Sequence, residues 1–123
     1  MKKLILIWLV AGMGCTVFQP TFTPSLHQKM EGKASYVIDG DTFYFSFDHG
    51  KFKATLADVD APNIQDKGGR ESFEFLRELI HQKTVNIEYL GTDPQGRWRV
   101  KAHLATGESV QDQVKANLAP LTR

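Results

Sequence analysis

The chain is 123 residues long, 41% hydrophobic and 24% charged, with 15 Lys+Arg against 14 Asp+Glu. That length holds one domain, and five Pro and ten Gly are too few for a disordered or collagenous chain. A single Cys excludes an intramolecular disulfide framework and a cysteine-rich zinc site, and a formal charge of +1 excludes a generally basic nucleic-acid-coating protein.

The N-terminus reads as an export signal over residues 1–14. Lys2 and Lys3 form a basic start, Leu4 to Gly14 is a nearly unbroken apolar and small-residue run, and the run is too short to cross a bilayer, which takes about 20 apolar residues. A buried N-terminal helix is the competing reading. Without Lys2 and Lys3, thirteen basic residues face fourteen acidic ones, so the mature chain is expected near −1. Cys15, behind Gly12-Met13-Gly14, resembles the lipidated cysteine of a bacterial lipoprotein signal, although Gly12 stands where that signal usually has Leu. Two outcomes stay open: a membrane anchor through Cys15, or plain export with a spare thiol. Both place the protein in the periplasm or cell envelope.

Residues 15–32 carry two prolines and no sustained period, and read as a flexible tether. The folded domain is expected over 33–120. Ala34 to Ile38 reads as a strand entering Asp39-Gly40. From Asp41 to Phe47, Phe43, Phe45 and Phe47 alternate with Thr42, Tyr44 and Ser46, the period-two signature of a half-buried strand. Asp48-His49-Gly50 supplies a turn, and Lys51 to Asp58 returns as a third strand. Over Arg70 to Gln82 the period changes: Phe73, Leu76, Leu79 and Ile80, with Phe75 at the edge, make the apolar stripe of a helix. A fourth strand is expected at Thr84 to Leu90, a turn over Gly91 to Gly96, and a fifth strand from Arg97 to Ala105. A short helix from Ser109 to Ala116 would end on a left-handed Asn117. Three strands, a helix, two strands and a helix is the order expected of an α+β, mainly β, five-stranded barrel with one helix between strands 3 and 4 and a short helix after strand 5, though propensity alone leaves several α+β options.

Val37-Ile38-Asp39-Gly40-Asp41-Thr42, then Leu56-Ala57-Asp58-Val59-Asp60-Ala61-Pro62, then Gly96-Arg97 together resemble the thermonuclease family, the staphylococcal-nuclease-like domains. The resemblance covers about Ala34 to Ala119 and implies an OB-type barrel that hydrolyses DNA or RNA phosphodiesters with calcium. By position it assigns the metal to Asp41, Asp60 and the backbone carbonyl of Ala61, oxygen donors that suit a hard cation. Asp39 falls on the same side of an extended strand and would be an outer-shell partner. Asp39-Gly40-Asp41 taken alone reads rather as a turn or bulge between strands, and it is Asp60 at the family's spacing that reverses this.

Two groups the family requires are missing. Asn63 stands at the position of the general-base glutamate, and Thr55 at the position of an arginine that neutralises phosphate charge; the second arginine, Arg97, is retained. An amide cannot take a proton from water near neutral pH, and a threonine carries no charge. A general base typically contributes about 10²–10⁴ in rate, and an electrostatic donor about 10²–10³. The expectation is a site that holds a phosphate but cleaves weakly or not at all. Relocated replacements would be Lys53 for the charge and Asp66 or Glu71 for the base, each of which also reads as an ordinary surface residue.

Lys51, Lys53, Arg97, Arg99 and Lys101 form a candidate basic patch, the last three expected on one strand face. Tyr36, Tyr44 and Trp98 are candidate stacking surfaces for single-stranded DNA or RNA, against the reading that Tyr36 and Trp98 pack inside the barrel. His27, His49, His81 and His103 have no ligand spacing and read as surface residues. Three function classes remain for an expected monomer: an exported metal-dependent nuclease, a non-catalytic OB module for nucleic acid or another anion, and an envelope interaction domain.

Overall fold

A computed structural model describes residues 22–118. The export signal, Cys15 and most of the tether lie outside the described residues.

Five strands close into a barrel. They are β1 (Lys29–Asp39), β2 (Thr42–Phe47), β3 (Gly50–Leu56), β4 (Thr84–Thr92) and β5 (Trp98–Leu104), with α1 (Gly69–Ile80) between β3 and β4 and α2 (Val110–Leu118) at the end. The strand order is β1-β2-β3-β5-β4, with β4 returning to β1. All pairings are antiparallel except β3 with β5. This is the expected OB-type barrel, in which each strand pairs with two neighbours.

The alternating phenylalanines behave as their period requires. Phe43 and Phe45 are fully buried in one continuous core with Val37, Leu56, Ile87 and Val100. From α1, Leu76 and Ile80 enter that core; burying each such side chain contributes about 1.5–3 kcal/mol. Phe47 lies at the barrel's margin among Phe22, Phe52 and Trp98, and Phe52 stacks on Trp98 with ring centroids 4.3 Å apart. Trp98 is only 5% exposed, so it is a core residue and no stacking surface.

Several boundaries differ from the sequence reading, each for a local reason. β1 begins at Lys29 and so takes in the last four residues of the stretch read as tether, because Met30 turns inward and pairs with Ile87 while Lys29 and Glu31 face out. Gly32 permits this, since a Cβ there would lie 2.5 Å from the Ser46 carbonyl oxygen. The helix α1 stops at Ile80 rather than Gln82. Gln82 takes φ 62°, its N–H donates to the Ala34 carbonyl at 2.7 Å, and its side-chain amide donates to the Ser35 carbonyl at 2.8 Å. In α2, Val110, Val114 and Leu118 recur every fourth residue and are all buried, so the helix runs through Asn117 instead of ending on it. His81 also departs from a surface role: its Nδ1 is enclosed without a hydrogen-bond partner.

Candidate functional site

Gly40 and Asp41 form the hairpin turn between β1, which ends on Asp39, and β2, so Asp39 and Asp41 do not lie on one length of extended strand. The Asp39 carboxylate accepts the Asp41 N–H at 3.1 Å, an Asx-type closure that brings the two acids together. Gly40 is the pivot: a Cβ there would lie 2.6 Å from Ser72 Cβ and 2.7 Å from Ala61 Cβ. Only a residue without a side chain lets the turn pass between α1 and the Asp60-Ala61 loop.

Asp41 gathers the surrounding chain. Its Oδ1 accepts the Thr42 hydroxyl at 2.9 Å and its Oδ2 accepts the Ala61 N–H at 3.1 Å. Its backbone carbonyl accepts the Leu56 N–H at 2.8 Å and the Thr55 hydroxyl at 3.2 Å. Burial, followed by the neighbouring Asp39, pushes the Asp41 carboxyl up to about 6, and the bonds from Ala61 and Thr42 only partly offset this. Asp60 is exposed beside Ala61.

Thr55 and Arg97 meet in a groove of about 510 Å³, lined also by Leu56, Asp58, Asp93 and Arg99. The parallel register sets Thr55 opposite Arg99. Arg97 lies in the turn before β5, where its Nε donates to Asp93 Oδ2 at 2.8 Å and its N–H to Asp93 Oδ1 at 2.9 Å. Asp93 was not singled out from the sequence. Its signal is the run Asp93-Pro94-Gln95-Gly96, in which the carboxylate also accepts the Gln95 N–H at 2.9 Å.

The remaining candidates fall elsewhere. Asn63 is exposed, and its backbone carbonyl accepts the Asp66 N–H at 2.9 Å. That carbonyl sits where a Cβ on Gly69 would collide, at 1.7 Å; the loop is held against the start of α1 by a bare glycine. Glu71 lines a shallow groove with Arg70, Glu74 and Asn117, apart from Thr55 and Arg97. Lys53 places its ammonium 5.9 Å from the centroid of the Tyr44 ring. The basic patch is split. Lys101 lines a separate groove with Glu88, His103 and Lys115, and Arg97 is drawn into its turn.

The groups around Asp41 are oxygens of carboxylates, hydroxyls and backbone carbonyls, the kind of donor a hard cation takes, and two acids stand together there. Among the described residues no group of three or more His, Cys, Asp or Glu side chains converges as a metal cage. Any ion would thus rely on backbone oxygen and water as well.

No protein-family model matches the chain. It is similar to a protein named "Uncharacterized endonuclease" from Escherichia coli O157:H7 and to one of the same name from Escherichia coli. In each case 30% of 97 residues are identical, covering 78% of this chain and 63% of the relative. The chain therefore spans less than two thirds of the curated relatives it matches.

Proposed function

We propose that the chain is an exported, thermonuclease-like nuclease domain that retains a cation- and phosphate-holding cleft but has weak or no hydrolytic activity. The observation that carries this reading is Asp41, whose carboxylate and carbonyl tie the Asp39-Gly40-Asp41 turn to Ala61 and to Thr55. Segments twenty residues apart in sequence thus share one corner of the barrel. The similarity to endonuclease-named proteins supports the nuclease class.

In this reading Asp41, Asp60 and the Ala61 carbonyl would hold calcium, with Asp39 behind them. A bound calcium ion would offset the paired carboxylates and polarise a phosphate oxygen. Arg97 and Arg99 supply positive charge to the groove beside Thr55. Thr55 contributes a hydroxyl already committed to the Asp41 carbonyl, so it adds no charge to a phosphate. Asn63 faces solvent without a proton-accepting group, which leaves an attacking water without a base.

The test is cleavage of DNA and RNA by the purified protein with calcium and with EDTA, alongside the double variant Thr55→Arg, Asn63→Glu. The wild type should be slow, and the double variant at least about 10²-fold faster, by the rate attributed to a general base. The second reading, an active calcium-dependent endonuclease, is favoured by the endonuclease names of the relatives. Fast wild-type cleavage that disappears in Asp41→Ala would establish it in place of the first. Export and a lipid anchor on Cys15 belong to the same proposal and rest on residues 1–15 alone. Mass spectrometry of the mature N-terminus tests them, since an unmodified or absent Cys15 removes the anchor.

A further inference from the structure

The outer face of β1, β2 and β3 carries an ordered set of side chains that begins one row from Thr55, since Tyr44 pairs with Lys53 and Thr42 with Thr55. Lys33 pairs with Ser46, and Ser46 with Lys51. One row further, Tyr36 pairs with Tyr44, and Tyr44 with Lys53. A register shift between Ala34 and Tyr36 produces this arrangement. Ala34 and Val37 both point into the core, so regular alternation would have turned Tyr36 inward; the extra residue Ser35 turns it out. Ser35 is held on the same side by a 2.8 Å bond between its hydroxyl and that of Ser46.

The result is an exposed aromatic in a basic setting. Tyr36 is 57% exposed, an unusual state for so large a ring in a barrel that buries its other aromatics in quantity. Beside it, the Lys51 and Lys53 ammonium groups stand 5.4 Å and 5.9 Å from the centroid of the Tyr44 ring, within the range of cation–π attraction. Neither row contains a carboxylate. Rings that accept a planar partner, flanked by three lysines with no acid among them, are complementary to a chain that alternates bases with phosphates.

We infer that the Tyr36–Tyr44 face, flanked by Lys33, Lys51 and Lys53, binds single-stranded nucleic acid, with bases stacked on the tyrosines and phosphates paired with the lysines. The inference rests on the nuclease reading for its biological sense, but on this face alone for its geometry. It provides a hold on substrate beside the cleft, through residues that do not line it.

The experiment is fluorescence anisotropy of a labelled short oligothymidylate with the purified protein in EDTA, so that binding is separated from cleavage. Stacking on an aromatic side chain supplies enough affinity that Tyr36→Ala should weaken binding by roughly tenfold, while Tyr36→Phe, which keeps the ring, should bind as the wild type does. Each lysine that pairs a phosphate contributes about −0.7 to the slope of log affinity against log salt for a single strand, and Lys53→Ala should remove about that much. Unchanged melting temperatures establish that these exposed substitutions leave the fold intact. The inference is overturned if the wild type fails to bind, if Tyr36→Ala binds as the wild type does, or if polyglutamate competes as well as the oligonucleotide. If binding depends on Tyr36 while neither the wild type nor Thr55→Arg, Asn63→Glu cleaves, the face stands and the cleft assignment falls.

Discussion

Arg97 and Asp93 are locked together in the turn between β4 and β5. The guanidinium Nε donates to Asp93 Oδ2 at 2.8 Å, and Asp93 Oδ1 accepts the N–H groups of both Gln95 and Arg97. Asp93 is only 10% exposed and Arg97 31% exposed. One carboxylate therefore shapes the turn and holds Arg97 in it. With Nε committed, only the terminal guanidinium nitrogens are left to face the groove.

Replacing Asp93 with Asn should lower stability near neutral pH by about 1.5–3 kcal/mol, the scale of a hydrogen bond to a charged partner. Burial alone would raise the Asp93 carboxyl, but the bonds from Arg97 and Gln95 outweigh it and hold the carboxyl below its ordinary value. The sign follows: a depressed acid stabilises the fold above its ordinary range and loses that contribution as pH falls through it. Urea unfolding of the wild type and Asp93→Asn should thus differ at pH 7 and converge below about pH 4, the ordinary carboxylate range. A gap independent of pH would show that the ion pair is not its source.

Asp41 carries the opposite sign. Its carboxyl is raised to about 6, so ionising it opposes folding of the metal-free protein. The stability it allows at low pH is lost as pH rises from about 4 towards 6. Asp41→Asn should stabilise the metal-free domain at pH 7 by on the order of 1 kcal/mol, a figure reduced from the full shift because the group is partly solvated. Denaturation in EDTA at pH 4 and pH 7 measures it. A variant that is less stable than the wild type at pH 7 would contradict the assignment.

The alternation of Phe43 and Phe45 and the stripe of Leu76 and Ile80 were legible because each needs only one buried face and a fixed period. Tyr36 reads either way from the sequence, as a stacking surface or a barrel residue, because its exposure depends on a one-residue bulge that nothing local in Ala34-Ser35-Tyr36 announces. The end of α1 is set by Ala34 and Ser35, distant in sequence, through their bonds to Gln82. At the candidate site, the family resemblance points to Asp41 and Ala61, but the turn that pairs Asp39 with Asp41, and the grip of Asp93 on Arg97, depend on side-chain acceptors for backbone N–H groups. Such bonds leave only a weak compositional trace.

Gly40→Ala tests how tightly the corner at Asp41 is built. The added methyl would meet Ser72 Cβ and Ala61 Cβ at 2.6 Å and 2.7 Å, both short side chains with no flexible end to move. Overpacking of this kind costs about 1–3 kcal/mol. The turn should also be pushed off Ala61, lengthening the bond from its N–H to Asp41. Chemical denaturation gives the first effect, and the chemical shift of the Ala61 amide gives the second. Unchanged stability and an unmoved Ala61 resonance would mean that the corner yields freely.

Gln111 offers the sharpest test of how α2 is fastened to the barrel. Its side chain is 7% exposed, its Oε1 accepts the Ala102 N–H at 2.9 Å, and its Nε2 donates to the Val100 carbonyl at 2.7 Å and the Ala57 carbonyl at 3.5 Å. The amide thus acts as a short piece of strand, satisfying β5 where no neighbouring strand continues. Gln111→Leu would keep the bulk and strand the Ala102 N–H, costing about 1–3 kcal/mol. Gln111→Glu would keep an acceptor for Ala102 but turn a carboxylate towards the Val100 carbonyl, so at pH 7 it should be the less stable variant. Protonation supplies a donor for that carbonyl, so the carboxyl should be raised in the folded state and Gln111→Glu should regain stability as pH falls. Urea midpoints at pH 7 and pH 4.5 decide the matter. If Gln111→Glu stays as far below the wild type at the lower pH, the amide is not joining Ala57 and β5 in the way its distances describe.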